Sequence, residues 1–271
     1  MKSKPKTLSD ITSHKFYAGI LESMSSIYSI KDLNPPKGAK EFKKWQRAGW
    51  DRLTHSQKYQ VRVFHRLSNL SNVVDRLAQS RQLLNRYSKS FFGSRLTMSR
   101  NDWTNYHFFV HTTSLASYFD CLLLLAGQIF YLGLPDKQCT EKRIVKHKFS
   151  RRLGATQEFN AIKKVLKQHF DRRHRYVHRG EESSLEDLKS TGELISLRTL
   201  TFLADHKSSL LPKTILTDLW RARLKEIAQL LAQTDEQLYT HTCALLDKLS
   251  AYYDALTKHL STQSPPTGAP S

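Results

Sequence analysis

Apolar side chains recur at steps of three and four residues along almost the whole chain, and no segment sustains the alternation of a strand. The pattern predicts an all-α protein. A first amphipathic helix is expected over 13–30, with Phe16, Tyr17, Ile20, Leu21 and Met24 on one side, and the Asn34-Pro35-Pro36-Lys37-Gly38 stretch breaks it. Residues 57–90 read as one long helix whose seam is Val63, Leu67, Leu70, Val74, Leu77 and Leu84. That seam suits a core helix or a partner helix. A second long helix is expected from about Ser99–Asp102 to Leu134, where Gly133 and Pro135 stop it. Because it is apolar nearly all round beyond Cys121, it should be central.

A further helix is predicted over about 155–178, with Phe159, Ile162, Val165, Leu166 and Phe170 as its apolar face and Gly180 as its C-terminal cap. A shorter helix, about 184–204, follows. After Lys207–Pro212 a helical pair is expected, lined first by Ile215, Leu219, Leu224, Ile227, Leu230 and Leu231. Its second member carries Leu238, Leu245, Leu246, Leu249, Tyr253, Leu256 and Leu260. The organisation that results is an N-terminal helical extension over 1–98, a core over 99–206, C-terminal helices over 207–260 packing on it, and a disordered tail over 261–271.

Charge changes the picture. The 271 residues carry a formal net charge of +19, with 39% apolar and 25% charged residues. The bulk is therefore globular, and its surface attracts polyanions such as nucleic acid. Cys121, Cys139 and Cys243 are widely spaced, with no CxxC pair, so neither a zinc knuckle nor a disulfide framework is indicated and reduced thiols in the cytoplasm are expected. The basic start, MKSKPKTLSD, leads into no apolar signal core. The run CLLLLAGQIFYLGL at 121–134 is shorter than the about 20 residues a spanning helix needs and reads as buried core, so no membrane partner is expected. Glycine-rich phosphate loops are absent, as is GxSxG. Lys43-Lys44-Trp45-Gln46-Arg47 and Trp50-Asp51-Arg52 interleave cations with rings that can stack bases or anchor a core.

The densest chemistry lies in Asp171-Arg172-Arg173-His174-Arg175-Tyr176-Val177-His178-Arg179-Gly180. A guanidinium grips a phosphate through two parallel hydrogen bonds, and an imidazole exchanges a proton near neutral pH. Arg173 and His178 form R-x4-H, a short and common pattern. Arg100 and His107 form a competing R-x6-H with Asn101 beside the arginine. The first pair stands out because His174 follows the arginine, further arginines flank it, and it closes a helix before a glycine. The bland reading is a basic helix terminus complementing the helix dipole. His55, His65, His107 and His111 read as surface or satisfied groups. His107 and His111 have the i,i+4 spacing of metal ligands, but without an HExxH glutamate, and no metal or other cofactor is expected.

RHRYVHRG at 173–180, within an all-helical chain, resembles the HEPN superfamily of helical bundles, whose pattern is R-x4–6-H with a polar residue after the arginine. Arg173, His174 and His178 match these three positions, and the resemblance covers roughly residues 100–205, with the outer helices as additions. It implies a metal-independent endoribonuclease, often a toxin or antiviral effector with an antitoxin or defence partner, and commonly a homodimer with a composite cleft. It equally admits an inactive RNA-binding or assembly protein. The chemistry fits: His178 as base or acid on the 2′-OH pathway, Arg173 on the phosphorane charge, His174 orienting the phosphate, and Arg172, Arg175 and Arg179 holding neighbouring phosphates. Residues five apart on a regular helix stand about 140° apart. Either the helix loosens before His178 or a partner subunit supplies the second group.

Overall fold

A computed structural model describes residues 6–28, 49–84, 86–87, 100–179 and 213–262, and every long element among them is α-helical. After a 3-10 turn at Leu8–Ser13 come α1 (Lys15–Tyr28), α2 (His55–Leu84), α3 (Arg100–Ile129), the short α4 (Glu141–Val145) and α5 (Lys148–Arg152), α6 (Ala155–Arg179) and α7 (Lys213–Thr262). The all-α expectation holds, with no strand among the described residues. The break at 34–38, most of the aromatic-basic stretch at 41–52, the helix expected at 184–204 and the tail from 263 lie outside the described residues.

The chain divides into two compact units. One comprises residues 1–9, 73–119 and 162–239, the other 10–72, 120–161 and 240–271. In the first unit Leu84 of α2, Phe108 of α3, and Ile227 and Leu231 of α7 close one apolar cluster, each at most 2% exposed. In the second, Ile20, Leu70, Leu122, Leu125, Phe159 and Leu245 are fully buried. There Tyr59 stacks on Tyr253 at 5.6 Å and donates its hydroxyl to the Ile129 carbonyl at 2.9 Å. The whole predicted seam of α2, Val63 to Leu84, is buried within the chain. The segment Trp103–Ile129 is long and apolar enough to cross a membrane by length and composition, but most of its apolar window is packed inside the protein.

Four expectations are corrected. The face of α1 is narrower than expected: Tyr17, Ile20, Met24 and Ile27 are buried, whereas Leu21, at the edge of that face, is 54% exposed. The face of α6 is buried at Phe159, Ile162 and Leu166, while Val165 and Phe170 are only half-buried.

Helix α3 ends at Ile129 rather than near Leu134. The Leu132 amide donates to the Gly127 carbonyl and the Tyr131 amide to the Gln128 carbonyl, with Tyr131 at φ 54°. This is the left-handed C-terminal cap that glycine usually supplies, here adopted by a tyrosine. Residues 213–262 form one helix, not a pair. No glycine or proline interrupts them. The Thr234-Asp235-Glu236 stretch resembles a helix start, but Thr234 Oγ1 donates back to the Leu230 carbonyl at 2.9 Å and the Asp235 carboxylate pairs with Arg81.

The start of α6 is pinned by α7. Lys248 Nζ donates to the Gly154 carbonyl at 2.9 Å and to Glu158 Oε1 at 2.7 Å, and His241 Nδ1 lies 3.1 Å from Glu158 Oε2. Burial pushes the Glu158 carboxyl upward, but Lys248 and His241 outweigh it and hold the group below its ordinary value.

Two leucines test the packing. Leu125→Ala should cost about 2–5 kcal/mol, because a fully buried leucine leaves a cavity. Leu21→Ala should stay within about 0.5 kcal/mol, as expected of an exposed side chain. Urea midpoints measure both, and comparable losses would contradict the assigned faces.

Candidate functional site

Helix α6 carries a regular stripe at Ala155, Phe159, Ile162, Leu166 and His169, each at most 2% exposed. These positions lie on one side because their spacing alternates between four and three. The same stripe continues to Arg173 and then Val177, but Arg173 is exposed and Val177 is 52% exposed. The core register of the helix thus runs on into an open end. There a groove of about 360 Å³ is lined, among the described residues, by Phe170, Asp171, Arg173, His174 and Val177.

The residues expected to act sit in different environments. Arg173 and His174 are both exposed and share the groove. Arg175 is half-buried. Arg172 is only 8% exposed, and its guanidinium lies over the Phe108 ring at 5.6 Å. It therefore departs from the expectation of a surface phosphate ligand standing alongside Arg175. Burial of its stem and its cation–π contact make it a packing element of the helix instead. The side chains of His178 and Arg179, together with Gly180, lie outside the description. The helical backbone nevertheless runs unbroken through Arg179, so of the two alternatives the loosening before His178 does not occur.

The competing pair reads differently. His107 is 6% exposed and packs on the Trp103 ring at 4.2 Å. Burial pulls its pKa down. The Trp103 indole in turn donates to the Leu83 carbonyl at 2.7 Å. This histidine, expected to be a surface or satisfied group, is instead enclosed in the first unit, and its Nε2 has no hydrogen-bond partner there. Among the described residues no three His, Cys, Asp or Glu side chains gather as a metal site requires.

The first unit also encloses polar groups. Ser80 Oγ and His111 Nδ1 are 3.0 Å apart, Arg81 pairs with Asp235, and His169 is 2% exposed. Burial, then the nearby His169 and Arg81, pull His111 down to about 3. Burial, then Arg172, pull His169 down to about 4. Burial lifts Asp235 to about 6 against the pull of Arg81. Both histidines are therefore neutral at physiological pH. The sequence did offer a signal: His169 occupies an apolar-stripe position of α6, three residues after Leu166, where a polar side chain must be enclosed.

A family model described as HEPN_Cthe2314-like HEPN matches residues 66–243, about two thirds of the chain. The matched span takes in most of α2 and the first part of α7, and so is wider than the 100–205 to which the motif drew attention. No match is found among curated proteins or among solved structures.

The histidines generate a pH prediction. Their folded-state pKa values lie below the unfolded value of 6.5, so their contribution is complete above pH 6.5 and is lost as pH falls through about 4 for His169 and about 3 for His111. For His169 alone the full loss is roughly 3 kcal/mol. Asp235 works in the opposite direction below about pH 6. Thermal melts should show Tm dropping between pH 6.5 and 4, and the His111→Gln/His169→Gln variant should flatten that drop. An equally steep drop in the variant would place the acid sensitivity elsewhere.

Proposed function

The chain belongs to the HEPN superfamily, a group of RNA-binding and ribonuclease domains, and we propose that it is a metal-independent endoribonuclease whose site is built on the open end of α6. The observation that carries this reading is the pairing of Arg173 and His174 on one exposed groove, at the point where the α6 stripe leaves the core. A phosphate-gripping fork and a titratable ring are thus presented together.

RNA brings its own nucleophile. A base withdraws the 2′-OH proton, the 2′-oxygen bonds to phosphorus, the bond to the 5′-oxygen breaks, and that oxygen takes up a proton. The products are a 2′,3′-cyclic phosphate and a 5′-hydroxyl. His178 serves as base or acid, and Arg173 neutralises the charge that grows on the non-bridging oxygens. His174 orients the phosphate, while Arg175 and Arg179 hold its neighbours. Because α6 remains helical to Arg179, Arg173 and position 178 stand about 140° apart around its axis. That separation favours two copies of the chain contributing to one cleft. The exposed Val177, on a register that is core upstream, supplies an apolar contact for such a pairing. We place the activity in antiviral defence or a toxin–antitoxin pair, acting in the cytoplasm. The three cysteines, none of them in a disulfide, suit that compartment.

Purified protein incubated with a mixed RNA pool in EDTA should cleave it and leave 2′,3′-cyclic phosphate ends, and DNA should stay intact. His178→Ala should lose at least about a hundredfold in rate with its helical circular-dichroism spectrum unchanged. Arg173→Lys should be impaired severely, since an ammonium keeps the charge but not the planar fork. RNA binding without turnover by the wild type would instead identify an inactive RNA-binding member of the family. Full activity in His178→Ala with loss in His107→Ala would assign the site to the other R-x-H pair.

A further inference from the structure

The segment Lys142–Arg152, KRIVKHKFSRR, is the barest concentration of positive charge among the described residues of the second unit. It holds six lysines and arginines in eleven positions and no acid. Lys142, Arg143, Lys146, Lys148, Arg151 and Arg152 are all exposed. None of the six is in an ion pair: Arg143 donates to the neutral Gln138 amide, and Lys148 Nζ lies 5.4 Å from the Phe149 ring. Of the nearby carboxylates, Asp136 is held by Arg66 and Glu158 by Lys248 and His241, and Glu141 directly precedes the segment.

The scaffold beneath is fixed. Ile144, Val145 and Ser150 are buried, at 0%, 5% and 0% exposure. Ser150 Oγ donates to the Ile144 carbonyl at 2.6 Å, and Thr156 Oγ1 donates to the Val145 carbonyl at 2.8 Å. The His147 ring accepts the Phe149 amide at 3.3 Å and stacks on Phe130 at 6.2 Å. Phe149 packs on Tyr252 at 5.0 Å. The apolar side chains of α4 and α5 are therefore spent on holding the two short helices, and the cations project from a preset surface. An exposed array of this density attracts a polyanion.

We propose that Lys142, Arg143, Lys146, Lys148, Arg151 and Arg152 form a second phosphate-backbone surface for RNA, in a different unit from the α6 groove and without base reading of its own. The proposal rests on the ribonuclease reading for its choice of polyanion. An anionic bilayer is the poorer occupant, because Ile144 and Val145 face inward and leave no apolar side chain of α4 to enter a membrane. The surface adds affinity and length of RNA engaged, not chemistry.

The test measures binding of a single-stranded RNA by the full chain across salt concentrations, in His178→Ala so that cleavage does not interfere. Adding K142Q, K146Q, R151Q and R152Q should weaken binding at least about tenfold at physiological salt. It should also reduce the slope of log affinity against log salt by about 2–3, the counterions released by four single-strand contacts. K142R and K146R should leave that slope unchanged. Because all four side chains are exposed, the thermal midpoint serves as a control and should stay within a few degrees. If the fourfold variant binds with the parent's affinity and slope while R175Q and R179Q weaken binding, the second surface is refuted and the ribonuclease reading stands. If the parent binds no RNA, both fail. If the patch governs binding to phosphatidylserine vesicles but not to RNA, the choice of partner is refuted.

Discussion

An unbroken α-helix cannot change the direction of its apolar stripe, and the function assigned to this chain depends on that constraint. The stripe of α6 is filled by Ala155, Phe159, Ile162 and Leu166, then by the enclosed His169, and it then carries Arg173 and Val177 into the open. The core fixes the rotation of the helix, so the core also fixes where Arg173 points. At the other end, Lys248 and His241 of α7 fasten Glu158 and the Gly154 carbonyl, which holds α6 along its axis. Rotation and translation of α6 are therefore both set far from the groove itself.

The buried polar groups of the first unit give it a further property. A core that encloses Ser80, His111, His169, Arg172 and the Arg81–Asp235 pair is costlier to assemble than an apolar one. Arg172 lying over Phe108 is the direct link between this layer and the motif, for it is the neighbour of Arg173 and is held inside the protein. The packed arginine anchors the helix, and the next arginine along it is left exposed at the groove.

How much of this was legible in the sequence follows from which forces act locally. Periodicity found the all-helical class, the α2 seam and the span of α6, because burial of every third or fourth residue is written directly in the chain. It did not find the single helix of α7, since Thr234-Asp235-Glu236 carries the chemistry of a helix start and only the tertiary partner Arg81 shows otherwise. It placed the end of α3 too late, because a tyrosine rather than Gly133 takes the left-handed cap position. The motif was legible as R-x4-H, but residue type alone could not separate the buried Arg172 from the exposed Arg173. Nor could it show that His107 of the competing pair is packed under Trp103.

The central claim is that one cleft takes Arg173 from one copy of the chain and His178 from another. Complementation measures this directly. Arg173→Ala and His178→Ala, each inactive alone, are mixed in equal amounts, unfolded, refolded together and assayed for RNA cleavage in EDTA. Half of the dimers then contain both variants, and each of these holds one intact cleft out of two, so roughly a quarter of the wild-type rate should return. A mixture as inactive as its components, with mixed dimers demonstrably present, would contradict the account and place both groups of the site on a single chain.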